Sequence, residues 1–275
     1  MADSSLPTPN WMNNRTHLEN LLLRDRWLIG VSLILVTALC WAWIAPMALD
    51  MYGSMSGSSA WMMTKRWDLS HQLLLFAMWA VMMIGMMLPS VAPALFLYAS
   101  VIRKSPEGQS VTPRVYTFAA GYLTVWVLFS VFATVLQVAL HHWLLLSTMM
   151  EPRVQWFGAV LLMLGGLYQL TPFKRSCLES CRSPVLFITQ HWKAGLLGSC
   201  KMGLAYGWFC LGCCWALMLL LFVGGVMNLW CIGALTVFVL IEKLAPFGVQ
   251  GGRLSGALIF LLGLWILVRG RLPGS

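Results

Sequence analysis

Residues 203–223 read GLAYGWFCLGCCWALMLLLFV. Twenty-one residues pass without a charged side chain, and about 20 apolar residues in a helix are what it takes to cross the hydrocarbon core of a bilayer. A stretch that is apolar on every side suits a lipid-embedded helix, not the one-sided stripe of a soluble surface helix. Six further stretches share this character: 27–48, 72–100, 115–140, 154–171, 227–245 and 254–270. Residues 203–223 and 227–245 are nearly continuous through Gly224-Gly225, which predicts a tight hairpin between them.

The expected fold is an all-α polytopic transmembrane bundle of about seven spans. Residues 1–26 form a cytoplasmic N-terminal segment, 27–270 a single transmembrane helical domain, and 271–275 a short C-terminal tail. The segment before the first span is polar, with Pro7 and Pro9. No small-residue cleavage site follows the first apolar run, so no signal peptide is expected.

Composition agrees over the whole 275 residues. Apolar residues make up 59% and charged residues 10%, against about 25% charged in ordinary soluble domains. This excludes a soluble globular enzyme, a disordered tail and a small disulfide scaffold. Fifteen Trp suit the polar edges of a bilayer. The formal net charge of +9 lies scattered between apolar stretches, so it predicts the inner leaflet and not nucleic acid.

Counting Lys and Arg on alternate sides of seven spans puts 13 on one side, from Arg15 and Arg24 through Arg103, Arg114, Lys174 and Lys193 to Lys243 and Arg253. Five lie on the other: Lys65, Arg66, Arg153, Arg269 and Arg271. The richer side faces the cytoplasm, which predicts a multi-pass protein of a bacterial inner membrane with its N-terminus inside. Residues 49–71 are then an external loop, and residues 172–202 a cytoplasmic one.

Soft ligands are concentrated. Of 18 Met, ten fall between Met47 and Met87. Met78, Met82 and Met86 share one helical face, and Met83 and Met87 line its neighbour. Met47, Met51 and Met55 repeat the spacing into the external loop. Thioethers suit Cu(I) and bind hard cations poorly; equally, Met is a flexible filler of irregular cores. Pro89 and Pro93 sit in the same span, where each removes a backbone donor and clashes with the carbonyl four residues back. They predict a kinked or broken helix, with carbonyls exposed near Met86 and Met87.

Six of the eight Cys lie between 177 and 214. On a helix Cys210 faces Cys213 and Cys214 at i+3 and i+4, with Met218 one turn on. Cys177 and Cys181, four apart, fall in the cytoplasmic segment. The reducing cytosol disfavours structural disulfides there, which leaves metal ligands, redox thiols or buried small hydrophobes. His71 opens the second span beside the Met-rich loop and is a candidate entry ligand. His141-His142, near Met149, Met150 and Glu151, form either another entry point or a surface pair. His17 and His191 read as surface residues. Glu242 is an intramembrane acid and a functional candidate, unless it pairs with Lys243 and snorkels to the interface. Asn228 begins the same span and can bond across to another helix.

No phosphate-binding Gly-Lys-Ser/Thr loop and no His-Glu-x-x-His occurs, nor Gly-x-Ser-x-Gly. The Asp-Lys-Thr-Gly motif of a P-type pump is absent. No catalytic residues are predicted, and energised pumping by this chain alone is not expected.

Three segments carry a family resemblance: Met82-Met83-Ile84-Gly85-Met86-Met87-Leu88-Pro89-Ser90; Tyr168-Gln169-Leu170-Thr171-Pro172-Phe173-Lys174 running on to Cys177, Cys181, Arg182 and Pro184; and Gly207 to Leu219, followed by Gly225-Val226-Met227-Asn228-Leu229 and Glu242-Lys243. Together they resemble the bacterial family called domain of unknown function 2182, described as predicted metal-binding integral membrane proteins. The resemblance covers about residues 72–246. It implies that Cys177, Cys181, Cys210, Cys213, Cys214, Met83, Met86, Met87 and Glu242 are functional positions. The choice of metal rests on ligand softness, with copper favoured and zinc the other candidate.

Three readings follow. The first is a membrane protein that handles Cu(I) as carrier, chaperone or sensor. It would exchange metal with a donor or acceptor protein through Met82, Met83, Met86, Met87, His71 and the cysteines. The second is a thiol redox membrane protein. The third is a structural or assembly subunit without metal, with close helix contacts at Gly165-Gly166 and Gly224-Gly225.

Overall fold

The computed structural model describes residues 10–52, 69–105, 111–143, 155–245 and 248–269. Among these residues every regular element is a helix: α1 (Asn10–Tyr52), α2 (Leu69–Lys104), α3 (Val111–His142), α4 (Gln155–Gln169), α5 (Pro172–Arg182), α6 (Pro184–His191), α7 (Gly195–Leu219), α8 (Leu221–Gly224), α9 (Leu229–Leu244) and α10 (Gly248–Arg269). Met55, Met62, Met63, Met149, Met150 and Glu151 lie outside the described residues, as does the side chain of Met51.

Among the described residues, five helical stretches are long and apolar enough to cross a membrane: Leu23–Asp50, Leu69–Lys104, Val111–His142, Gly195–Gly224 and Gly248–Arg269. A sixth is obtained if α4 and α5, bent by 63° at their junction, count as one. The expected spans at 154–171 and 227–245 are the ones that shrink. They correspond to helices of 15 and 16 residues, or about 22–24 Å at 1.5 Å per residue, against a hydrocarbon core of about 30 Å. Helix α1 starts at Asn10 and so runs back through the segment before the first expected span.

Helix α2 is the centre of the bundle. Helices α1, α3, α6 and α9 all pack on it, and Leu75, Met78, Trp79, Met82, Met83, Met86, Met87, Val91 and Tyr98 are almost wholly buried. It runs unbroken through Pro89 and Pro93; the expected break does not occur. Neighbours on several sides hold the helix where the prolines remove ladder bonds, as happens to proline-bearing helices inside membranes.

The tightest pairing is α3 on α7. A side-chain carbon at Gly203 would stand 2.0 Å from the Phe118 carbonyl oxygen, so only glycine permits this backbone approach. Helices α4 and α10 meet in the same way, with Gly166 facing the backbone of Gly256 and Phe260, close contact at one of the two expected glycine pairs. The expected hairpin is present too: Gly225 turns at φ 85°, and Asn228 then caps α9. Its side chain accepts from the backbone N–H groups of Trp230 and Cys231 at 3.0 and 3.3 Å. Asn228 is therefore a helix cap and not the expected cross-helix tether.

Two flanking cations are structural. Arg103 pairs with Asp25 of α1. Arg114 is buried and ties three elements: it donates to Ser199 Oγ at 3.1 Å, Tyr98 Oη at 3.3 Å and the Lys193 carbonyl at 3.1 Å.

Candidate metal centre

Helix α7 carries the cysteines. At i, i+3 and i+4, Cys210, Cys213 and Cys214 necessarily share one stripe. Both later thiols donate back to the Cys210 carbonyl, at 3.0 Å from Cys213 and 2.8 Å from Cys214. That local bonding turns the side chains towards the N-terminus of the helix and gathers them. All three residues are buried, and their sulfurs lie within 4.8 Å of one another. Three thiolates around one ion, with metal–sulfur bonds of about 2.3 Å, stand about 4 Å apart. The trio thus needs only small side-chain adjustments to hold a metal ion.

A fourth thiol comes from α5. Leu220, just past the end of α7, packs on Gly165, Tyr168 donates to the Gly212 carbonyl, Cys177 touches Gly212, and Tyr206 donates to the Cys181 carbonyl at 2.9 Å. These contacts step back along α7 as the chain advances from α4 through the bend into α5. Segment 172–182 therefore lies antiparallel against α7, so the stretch that holds Cys177 and Cys181, expected as a loop, is a helix packed on that span. The cause is the Thr171-Pro172 start of α5, where Thr171 caps the helix by accepting from the Lys174 N–H at 3.3 Å, together with an apolar side that holds Cys177, Leu178 and Cys181.

Cys181 is buried beside Cys210 and Cys213, outside the set of three sulfurs that lie within 4.8 Å of one another. Cys177 stops at the margin, seated on Gly212, where an added carbon would meet its sulfur at 2.7 Å.

On the other side of Cys210 the neighbours are polar. Lys243 of α9 donates to Cys210 Sγ at 2.9 Å and to Ser90 Oγ at 3.0 Å. The Tyr122 hydroxyl lies 3.0 Å from the same sulfur and donates to the Met87 carbonyl at 3.3 Å. Ser90 also donates to that carbonyl, at 2.8 Å. Glu242 turns elsewhere, pairing with Lys174, whose amine also donates to Gln169. Both charges are buried, with 3% of each side chain exposed. The expectation that Glu242 and Lys243 form a pair reaching for the interface is thus overturned. Glu242 finds an opposite charge inside the bundle, which spares it the cost of an uncompensated buried charge, while Lys243 ends on the Cys210 sulfur and the Ser90 hydroxyl.

The structure therefore gathers Cys210, Cys213, Cys214 and Cys181, with Cys177 beside them and Met87 adjoining through its carbonyl. His71 does not join them: it is buried at the start of α2, 16 residues and about 24 Å of helix from Met87. Met82, Met83 and Met86 are buried on the stretch between. His141 and His142 end α3. Sequence reasoning missed Lys174, Lys243, Tyr122 and Ser90 as parts of the site. The two lysines carried a signal, since a cation beside an apolar span is a functional candidate in its own right. A lone Tyr or Ser in an apolar run carries none.

Thiols that outnumber the hydroxyls around them, shut away from solvent, suit a soft cation better than a hard one. A family model described as PpoB2, copper chaperone, matches residues 76–266, more than half of the chain. No curated protein and no solved structure matches the chain.

Proposed function

The chain belongs to the copper-chaperone family PpoB2, and on that premise we propose that it is a multi-pass membrane protein that binds Cu(I) at Cys210, Cys213 and Cys214 and passes it to or from a partner protein. The observation that carries this reading is the convergence of three buried sulfurs within 4.8 Å. Copper is the cargo. Thiolates bind Cu(I) strongly, and exchange by an incoming sulfur ligand moves the ion without an energy source.

Cys181 is the next sulfur on the α5 side, with Cys177 behind it. Met87, Met86, Met83 and Met82 extend along α2 towards His71, a series of soft groups by which the ion reaches or leaves the thiols. Pro89 and Pro93 belong to the same helix, and Ser90, between them, is bonded to Lys243. Glu242 holds the α5 side of the site through Lys174. The setting proposed is a bacterial inner membrane, with the N-terminus in the cytoplasm.

Elemental analysis of the anaerobically purified, detergent-solubilised protein tests the reading. Near-stoichiometric copper, lost in the Cys210→Ser/Cys213→Ser/Cys214→Ser variant, is the expected result. A wild type that takes up no added Cu(I), or a triple variant that keeps it, overturns the assignment.

A further inference from the structure

The groups touching Cys210 include one full charge. Lys243 donates to Cys210 Sγ at 2.9 Å and to Ser90 Oγ at 3.0 Å, and the residue is 7% exposed. Its other neighbours here, Tyr122 and Ser90, are neutral hydroxyls. The nearby carboxylate of Glu242 pairs with Lys174, and Arg182, bonded to the Ala245 carbonyl at 2.6 Å, adds a further positive charge. The fixed charges around the cysteines are therefore positive in sum: Lys174, Arg182 and Lys243 against Glu242.

We propose that Lys243 sets the selectivity of the centre, favouring a monovalent soft ion over a divalent one. Coulomb repulsion is linear in charge, so an ammonium beside a ligand sulfur opposes a divalent ion twice as strongly as a monovalent one at the same position. Burial keeps this difference from being screened by salt. The attraction between the ammonium and the sulfurs is common to both ions, and cancels from the ratio of their affinities. Zn(II) prefers the same thiolates, so ligand type alone discriminates poorly between the two. The inference rests on the reading that the cysteines hold metal, and adds to it which charge they accept.

The test is a pair of anaerobic competition titrations of the full-length protein in detergent, one with Cu(I) and one with Zn(II), each against a chelator of known affinity. Lys243→Gln keeps a hydrogen-bond donor and removes the charge; Lys243→Arg keeps the charge. The preference for Cu(I) over Zn(II) falls at least tenfold in Lys243→Gln and is retained in Lys243→Arg. An unchanged ratio in Lys243→Gln overturns the inference. If that variant does not fold, Ser90→Asp carries the test. It leaves Lys243 in place and neutralises it, so the ratio falls in the same direction, and an unchanged ratio is again fatal. A wild type that binds neither ion at its cysteines fails the proposed function itself, a result distinct from an unmoved ratio.

Discussion

The amine of Lys243 stands 2.9 Å from the sulfur of Cys210, joining α9 to α7 at the depth where α2 and α3 supply Ser90 and Tyr122. One residue before it, Glu242 reaches Lys174 on α5. The last turn of α9 thus braces both flanks of the cysteine cluster.

The contribution of α5 is separable from that of α7. Cys181 is an outlying partner of the α7 sulfurs, and Cys181→Ser is expected to weaken Cu(I) binding by about 10–100-fold, the range for groups that orient metal ligands. Cys177→Ser, further off, is expected to do less. Chelator competition on each single variant ranks them. Equal losses for Cys177 and Cys181 would contradict the geometry.

Gly212 seats α5 on α7, with Cys177 Sγ 2.7 Å from where a side-chain carbon would sit. Gly212→Val is expected to cost about 1–3 kcal/mol by overpacking and to push Cys181 away from Cys210. Thermal unfolding in detergent and copper stoichiometry should fall together. A destabilised protein with full copper affinity would show that α5 is not needed at the centre.

The ion pair between Lys174 and Glu242 is buried on both sides. Glu242→Gln or Lys174→Met leaves one charge uncompensated and is expected to destabilise the fold by about 3–5 kcal/mol. The swapped pair Lys174→Glu/Glu242→Lys should recover a measurable part of that loss. Chemical unfolding followed by tryptophan fluorescence reads the effect, and additive losses in the double variant would deny the pairing.

Asn228 supplies a contrast. As the cap of α9 it is expected to cost about 1 kcal/mol when changed to Ala, while copper stoichiometry stays at the wild-type value. A loss of copper in Asn228→Ala would mean that α9 transmits changes along its whole length to Lys243.

Much was legible in the order of residues. Long uncharged apolar runs dictate membrane-length helices because a bilayer cannot satisfy open backbone groups. The i, i+3, i+4 spacing of Cys210, Cys213 and Cys214 fixes a shared stripe, because helical geometry is local. The hairpin at Gly224-Gly225 is likewise a local matter, a glycine at positive φ. The path of α5 is not. Its polar composition, with Lys174, Arg175, Glu179 and Arg182, reads as a loop outside the membrane. Only the packing of Cys177 on Gly212 and the bond from Tyr206 bring it alongside α7. The separation of Glu242 from Lys243 is decided in the same way. Adjacent charges invite pairing in a linear reading, but successive helical residues point about 100° apart. Which buried partner each one meets, Lys174 for one and Cys210 for the other, depends on how five helices converge, and no local pattern encodes that.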